Sequence, residues 1–251
     1  MSALAALVAT AFALIVTDRW HRRRLAHHGA WMVAMLLFAV GSFALWWATS
    51  AGWSSGVFRV FFTAGAVLNV SWLALGSIAL HAGERVVARL RGFIALASAF
   101  AIGVMTVAPE KKPFVADDFP RARDHFGALP RVLAAVGSGV PALVIIGLAV
   151  WSLGRLLTRR ASRLEGVTAN FTTSKRLVAS NVMIAVATLV LSASGSLAGR
   201  LGEERAFTVT LSVGVVMLFV GFLLPSLSAA TPARLRETLS SSSNAQRVAN
   251  D

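Results

Sequence analysis

Seven stretches of apolar residues, each near the length that crosses a bilayer, divide the chain, and basic residues crowd every second gap between them. The hydrocarbon core of a membrane takes roughly 20 predominantly apolar residues in helical form. On that measure the pattern predicts helices over 3–17, 30–51, 57–81, 92–108, 131–154, 177–199 and 207–229. A backbone that must satisfy its own hydrogen bonds inside lipid has only helices and closed barrels open to it. Continuous apolar runs, rather than alternating ones, select helices. The predicted fold class is therefore all-α: a polytopic membrane protein with seven transmembrane helices in one domain over residues 1–231. A tail over 232–251 follows, and its run of serines at 240–243 offers nothing to bury, so it is predicted to be disordered.

Orientation comes from the charges. With the N-terminus outside, sixteen of the 24 Lys and Arg residues fall on one side, among them Arg22, Arg23, Arg24, Arg85, Arg89, Arg91, Arg159 and Arg160. The other side holds Arg59, Lys111, Lys112, Arg121, Arg123, Arg131, Arg200 and Arg205. Basic loops stay in the cytoplasm, which predicts an external N-terminus and a cytoplasmic C-terminus. Six acids (Glu110, Asp117, Asp118, Asp124, Glu203 and Glu204) fall on the outer side and nearly neutralise it. The first run has no basic residue before it and Asp18, Arg19 and Arg22 after it, the reverse of a secretory signal. It reads as a retained helix, with cleavage or an interfacial position as the alternative.

Composition supports this picture. The chain has 251 residues, 56% of them hydrophobic and 14% charged, against about a quarter charged in soluble domains. A net charge of +13 would suit nucleic acid. In a polytopic chain, however, the same residues set orientation and attract anionic headgroups. The expected partners are membrane lipids, with anionic headgroups at the cytoplasmic basic loops, and a companion membrane protein; no nucleic acid is expected. Cysteine is absent, which removes disulfides, thiolate nucleophiles and thiolate metal sites. Tyrosine is absent too, leaving Trp as the interfacial aromatic. Arg in excess of Lys and abundant Ala, Val, Leu and Gly match the coding bias of a GC-rich bacterial genome.

Candidate chemistry is sparse. No acid, Lys or Arg lies deep in any span, which argues against proton coupling through a buried carboxylate. Two asparagines do lie within spans, Asn69 near the middle of span three and Asn181 about one turn in from the cytoplasmic end of span six. An amide in hydrocarbon needs a partner. At about 1.5 Å per residue, Asn69 is level with Thr188 and Asn181 with Ser77, which predicts that spans three and six are neighbours. The alternative is that each amide bonds a nearby backbone carbonyl. Hydroxyls are richer in the outer halves, at Thr49, Ser50, Thr63, Thr106, Ser138, Ser192 and others. Converging, they would line a polar cleft with Arg59, Trp46, Trp47 and Trp53 at its mouth, suited to an anionic headgroup or small acid. The candidate ligand-binding residues are thus Asn69, Arg59, Thr63, Thr188 and Ser192. Alternatively each hydroxyl bonds its own helix.

Helix packing is expected at Gly195 and Gly199, a Gly-xxx-Gly spacing, and at Asn181 and Ser77. Pro141 and Pro225 are predicted to kink their helices. The segment 109–130, punctuated by four prolines and carrying Phe114, Phe119 and Phe126, reads as a lid on the helix ends or as a recognition loop. The five histidines do not pair across spans, and His81 with Glu84 supplies only one edge of a metal site. No cofactor, metal or catalytic group is expected. Retinal is excluded because 207–229 contains no Lys for a Schiff base.

The stretch from Phe58 to Val70, continuing through Trp72 to Gly76, resembles a recurring segment of seven-helix integral membrane proteins of actinobacteria. The stretch from Asn181 to Gly199 with Phe207 to Thr210 is similar to another segment of the same group. Together they cover about a third of the chain. The resemblance implies a bacterial plasma-membrane protein and brings no activity with it. The functional expectation is a non-enzymatic bundle that binds or moves a small or lipidic ligand. The alternatives are a scaffold or accessory subunit of a cell-envelope complex and, further off, a membrane-embedded enzyme.

Overall fold

A computed structural model describes residues 2–161 and, beyond them, residues 183, 186, 187, 189–191 and 209–221. The described residues are helical with no strands. In order they form α1 (Ser2–Arg23), α2 (Ala26–Ala51), α3 (Ser55–Phe61), a π-helical segment (Phe62–Leu68), α4 (Asn69–Ala79), α5 (Glu84–Val107), the short α6 (Ala122–His125) and α7 (Ala128–Ala161). Five helices are long and apolar enough to cross a membrane: Ser2–Arg22, Ala26–Ala51, Ser55–Ala79, Glu84–Val107 and Ala128–Trp151. They coincide with the first five predicted spans. Val209–Gly221 is a shorter apolar helix within the predicted seventh. Span six contributes only a few described positions, and the predicted tail lies outside the described residues.

Observed helices overrun the predicted runs where polar residues continue the helix. The first extends to Arg23, and α5 begins at Glu84 rather than 92. Glu84 sits in the first turn of α5, where a carboxylate complements the positive end of the helix dipole. The α1–α2 connection is tight. Arg24 takes a left-handed φ of 51° and its amide closes on the Trp20 carbonyl at 2.8 Å, while its guanidinium lies 4.4 Å over the Trp20 ring. Pro141 lies inside α7, which remains one helix from Ala128 to Ala161.

Lipid tails are as apolar as Leu, so helices in a membrane associate by close packing of small residues. Three glycines show it. A Cβ on Gly41 of α2 would lie 3.4 Å from the Gly65 amide nitrogen; one on Gly76 would strike the Trp31 ring; one on Gly137 of α7 would strike the Val67 carbonyl. The π segment is therefore held between backbone contacts from α2 on one side and α7 on another. A second core region joins α1 and α2 through Phe12, Val16, Ala34 and Met35, with Ala187 and Leu218 in the same cluster. By contrast α5 turns Phe93, Leu96, Phe100 and Val107 outward, each more than half exposed, a face that acyl chains would cover in a bilayer.

Candidate functional site

The third span is not one regular helix. Seven residues, Phe62 to Leu68, are π-helical, and the segment ends where the Asn69 amide bonds the Ala64 carbonyl, five residues back. Widening a helix in mid-span displaces its backbone and changes which side chains face each neighbour. Such segments are rare and recur at functional sites. Beside it opens a cleft of about 410 Å³, between α3, the π segment and the last turns of α5. Thr63, Ala64 and Leu68 line it from the π segment, Gly56, Arg59 and Val60 from α3, Ile102, Met105 and Thr106 from α5, and Leu37 from α2. The size falls within the roughly 300–1,000 Å³ of small-molecule pockets.

Among the described residues, Arg59 is the only ionised group in that lining. Its guanidinium is pinned. Nη1 donates to the Met105 carbonyl, Nη2 donates to the Ala108 carbonyl at 2.6 Å, and Nε donates to Ser55 Oγ at 3.1 Å. Nη2 also pairs with Glu110 Oε1 at 3.2 Å, and Ser55 Oγ donates to the same carboxylate oxygen. The ring of Phe126 lies 5.3 Å from the guanidinium carbon. Met105 and Ala108 stand at the C-terminal end of α5, where carbonyls lack intrahelical partners and carry the negative end of the dipole. Arg59 thus caps α5 from another helix. The hydrogen bond from Ser55, and next the one from Arg59, hold the Glu110 carboxyl below the usual range.

Segment 108–127 covers this end of the bundle. The Trp53 amide donates to the Ala116 carbonyl and the Lys111 amide to the His125 carbonyl, both at 2.9 Å. His125 Nδ1 lies 3.1 Å from the Lys112 carbonyl, and its ring stacks on Phe114 at 4.0 Å. Phe126 and Phe58 are buried and stacked at 5.5 Å, with Trp53 edge-on to Phe58, Phe61 and Phe119. The loop has its own aromatic core and sits as a fixed lid on the helix ends. Gly52, at φ 91°, makes room for it, since a Cβ there would lie 2.9 Å from Ala116 Cβ.

The sequence-predicted residues divide. Arg59, Thr63 and Thr106 line one cleft, which is apolar rather than polar. Among the described residues, four hydroxyls on the predicted outer side bond their own helices: Thr49 and Ser50 to the Trp46 carbonyl, Thr106 to Ile102 and Ser138 to Ala134, Thr106 doing so from the cleft wall. Trp53 is buried under the lid rather than standing at the mouth. Asn69 does not line the cleft. It is buried, and its Oδ1 has no hydrogen-bond partner among the described residues. Ser77 bonds the Leu73 carbonyl of its own helix at 3.2 Å. Thr188, Ser192, Asn181, Gly195 and Gly199 lie outside the described residues. Their neighbour Ala187 is buried in the cluster against which Trp72 and Leu73 pack.

Sequence reasoning missed the other half of the site. Glu110 entered only as one of the outer acids and Ser55 not at all, although an Arg one turn inside an apolar run calls for an acid at the same depth, and Glu110 lies three residues beyond the end of α5. It also missed the hydrogen bonds that join helices. Ser71 donates to the Gly137 carbonyl at 2.8 Å, and Trp72 Nε1 donates to Ser98 Oγ at 3.2 Å. His81 Nδ1 lies 3.1 Å from the Ser77 carbonyl and its ring is edge-on to Trp151. No group of three or more His, Asp or Glu converges among the described residues. A scan against protein-family models matches none, and a search of curated proteins finds no match.

Proposed function

We propose that this chain is a seven-helix protein of a bacterial plasma membrane, related to the actinobacterial group it resembles, with its N-terminus and the 108–127 lid outside. Its role in this reading is non-enzymatic: it holds a lipidic ligand in the lateral cleft beside the π segment. The observation that carries the reading is the apolar cleft of about 410 Å³ with Arg59 as the cation in its lining. An apolar trough with a single charge suits an acyl chain carrying a polar head better than it suits a small hydrophilic solute. The solute would have to leave water for a wall offering few hydrogen bonds. The five apolar helices support a setting in which acyl chains reach the cleft sideways.

The test is a native mass spectrum of gently extracted protein offered phosphatidylcholine, beside the variant Thr63→Trp, whose indole would fill the cleft. The expected result is a retained lipid on the wild-type protein that the variant lacks. Equal retention by both would refute the cleft as the binding place. A wild-type spectrum showing a second polypeptide and no lipid would turn the reading toward an accessory subunit, with the bare face of α5 as its contact surface.

A further inference from the structure

We infer that the cleft is selective for lipids with an anionic headgroup, and that Glu110 is the resident counter-ion such a headgroup displaces. This rests on the reading that the cleft holds a lipid chain. Of the five N–H donors of a guanidinium, the hydrogen bonds of Arg59 engage four: Nε with Ser55, one on Nη1 with Met105, and Nη2 with Ala108 and Glu110. The remaining Nη1 N–H has no acceptor among the described residues. The two backbone carbonyls and Ser55 fix the guanidinium in place, so its position costs a ligand nothing to arrange, the condition under which a cation discriminates best.

The bond to Glu110 is of another kind. At 3.2 Å it is the longest of the four, and it runs to a side chain on the lid that is 38% exposed, whereas Arg59 is 19% exposed. The carboxylate neutralises the cation of the cleft lining and is the contact that can leave without uncapping α5. A phosphate oxygen entering at the mouth meets the free Nη1 N–H and takes over the Nη2 N–H that Glu110 releases. This gives the two-point contact at which Arg surpasses Lys. Lys111 and Lys112 follow Glu110 directly and, being exposed, add positive charge along the same lid. A zwitterionic headgroup carries its own cation into this setting and gains less.

The test compares phosphatidylglycerol with phosphatidylcholine of identical chains, in mixed micelles, read by native mass spectrometry. Wild-type protein is expected to retain phosphatidylglycerol several-fold over phosphatidylcholine. Glu110→Gln keeps the side chain's shape and removes its charge; it is expected to raise that preference further, while Arg59→Gln abolishes it. If Arg59→Gln fails to fold for want of the α5 cap, Glu110→Gln decides alone. Equal retention of both lipids by wild type, with no change in Glu110→Gln, would overturn the headgroup inference while leaving a Thr63→Trp-sensitive cleft standing. Retention of neither lipid by wild type would overturn both. Inorganic phosphate added at millimolar concentration is expected not to compete, because the chain supplies most of the binding; full competition would show a phosphate site and sink the lipid assignment.

Discussion

Replacing Gly137 by Ala tests how tightly the π segment is held. A methyl at this position would run into the Val67 carbonyl, a backbone atom that cannot swing aside. Overfilling a packed contact costs about 1–3 kcal/mol. The collision also pushes α7 away from α4 and stretches the Ser71 hydroxyl's bond to the Gly137 carbonyl, now 2.8 Å, a loss of about 0.5–1.5 kcal/mol. Against these stands the helix preference of Ala over Gly, about 1 kcal/mol. Gly139, two residues on in the same helix, faces open space, with nothing within 4 Å of where a methyl would stand. Gly139→Ala gains the preference and suffers no collision, so the preference cancels in the comparison. The expected difference between the variants is about 1.5–4.5 kcal/mol, with Gly137→Ala the less stable. Reversible unfolding in mixed dodecyl maltoside and SDS micelles, followed by Trp fluorescence, measures it. Equal midpoints for the two variants would refute the backbone contact, and with it the claim that α7 clamps the π segment.

Two further outcomes follow from buried and paired groups. Asn69→Leu is expected to raise stability by about 1–3 kcal/mol, since it removes a buried amide oxygen that has no partner among the described residues; a loss of stability in the same unfolding assay would mean that the amide is satisfied after all. Glu110, held below the usual carboxylate range by Ser55 and Arg59, stabilises the lid above its unfolded pKa, and this contribution is lost as pH falls through its depressed folded value. The protection of the Lys111 and Trp53 amides, which bond the lid to itself and to α3's approach, measured relative to their intrinsic exchange rates, should therefore fall in acid below the ordinary glutamate range, and this fall should vanish in Glu110→Gln.

The sequence by itself determined the helical class and the places of the first five apolar spans. Burial in lipid leaves so few backbone options that run length alone locates a helix. The proline-rich segment after α5 read as a cover on the helix ends or as a recognition loop, and its phenylalanines pack against Trp53 and Phe58. Arg59 and Thr63, four residues apart on the third span, both line the cleft. The tertiary structure decided what that site is. Which half of a span holds a hydroxyl follows from position, but whether it bonds its own helix depends on neighbours, and among the described residues Thr49, Ser50, Thr106 and Ser138 do. The π segment carries no composition signal; it lies where the Gly41–Gly65 and Gly137–Val67 contacts hold the third span between two others. Arg59 looked like a free cation at a mouth; the C-terminal carbonyls of α5 and the Glu110 carboxylate, about fifty residues further along the chain, are acceptors that only folding brings within its reach.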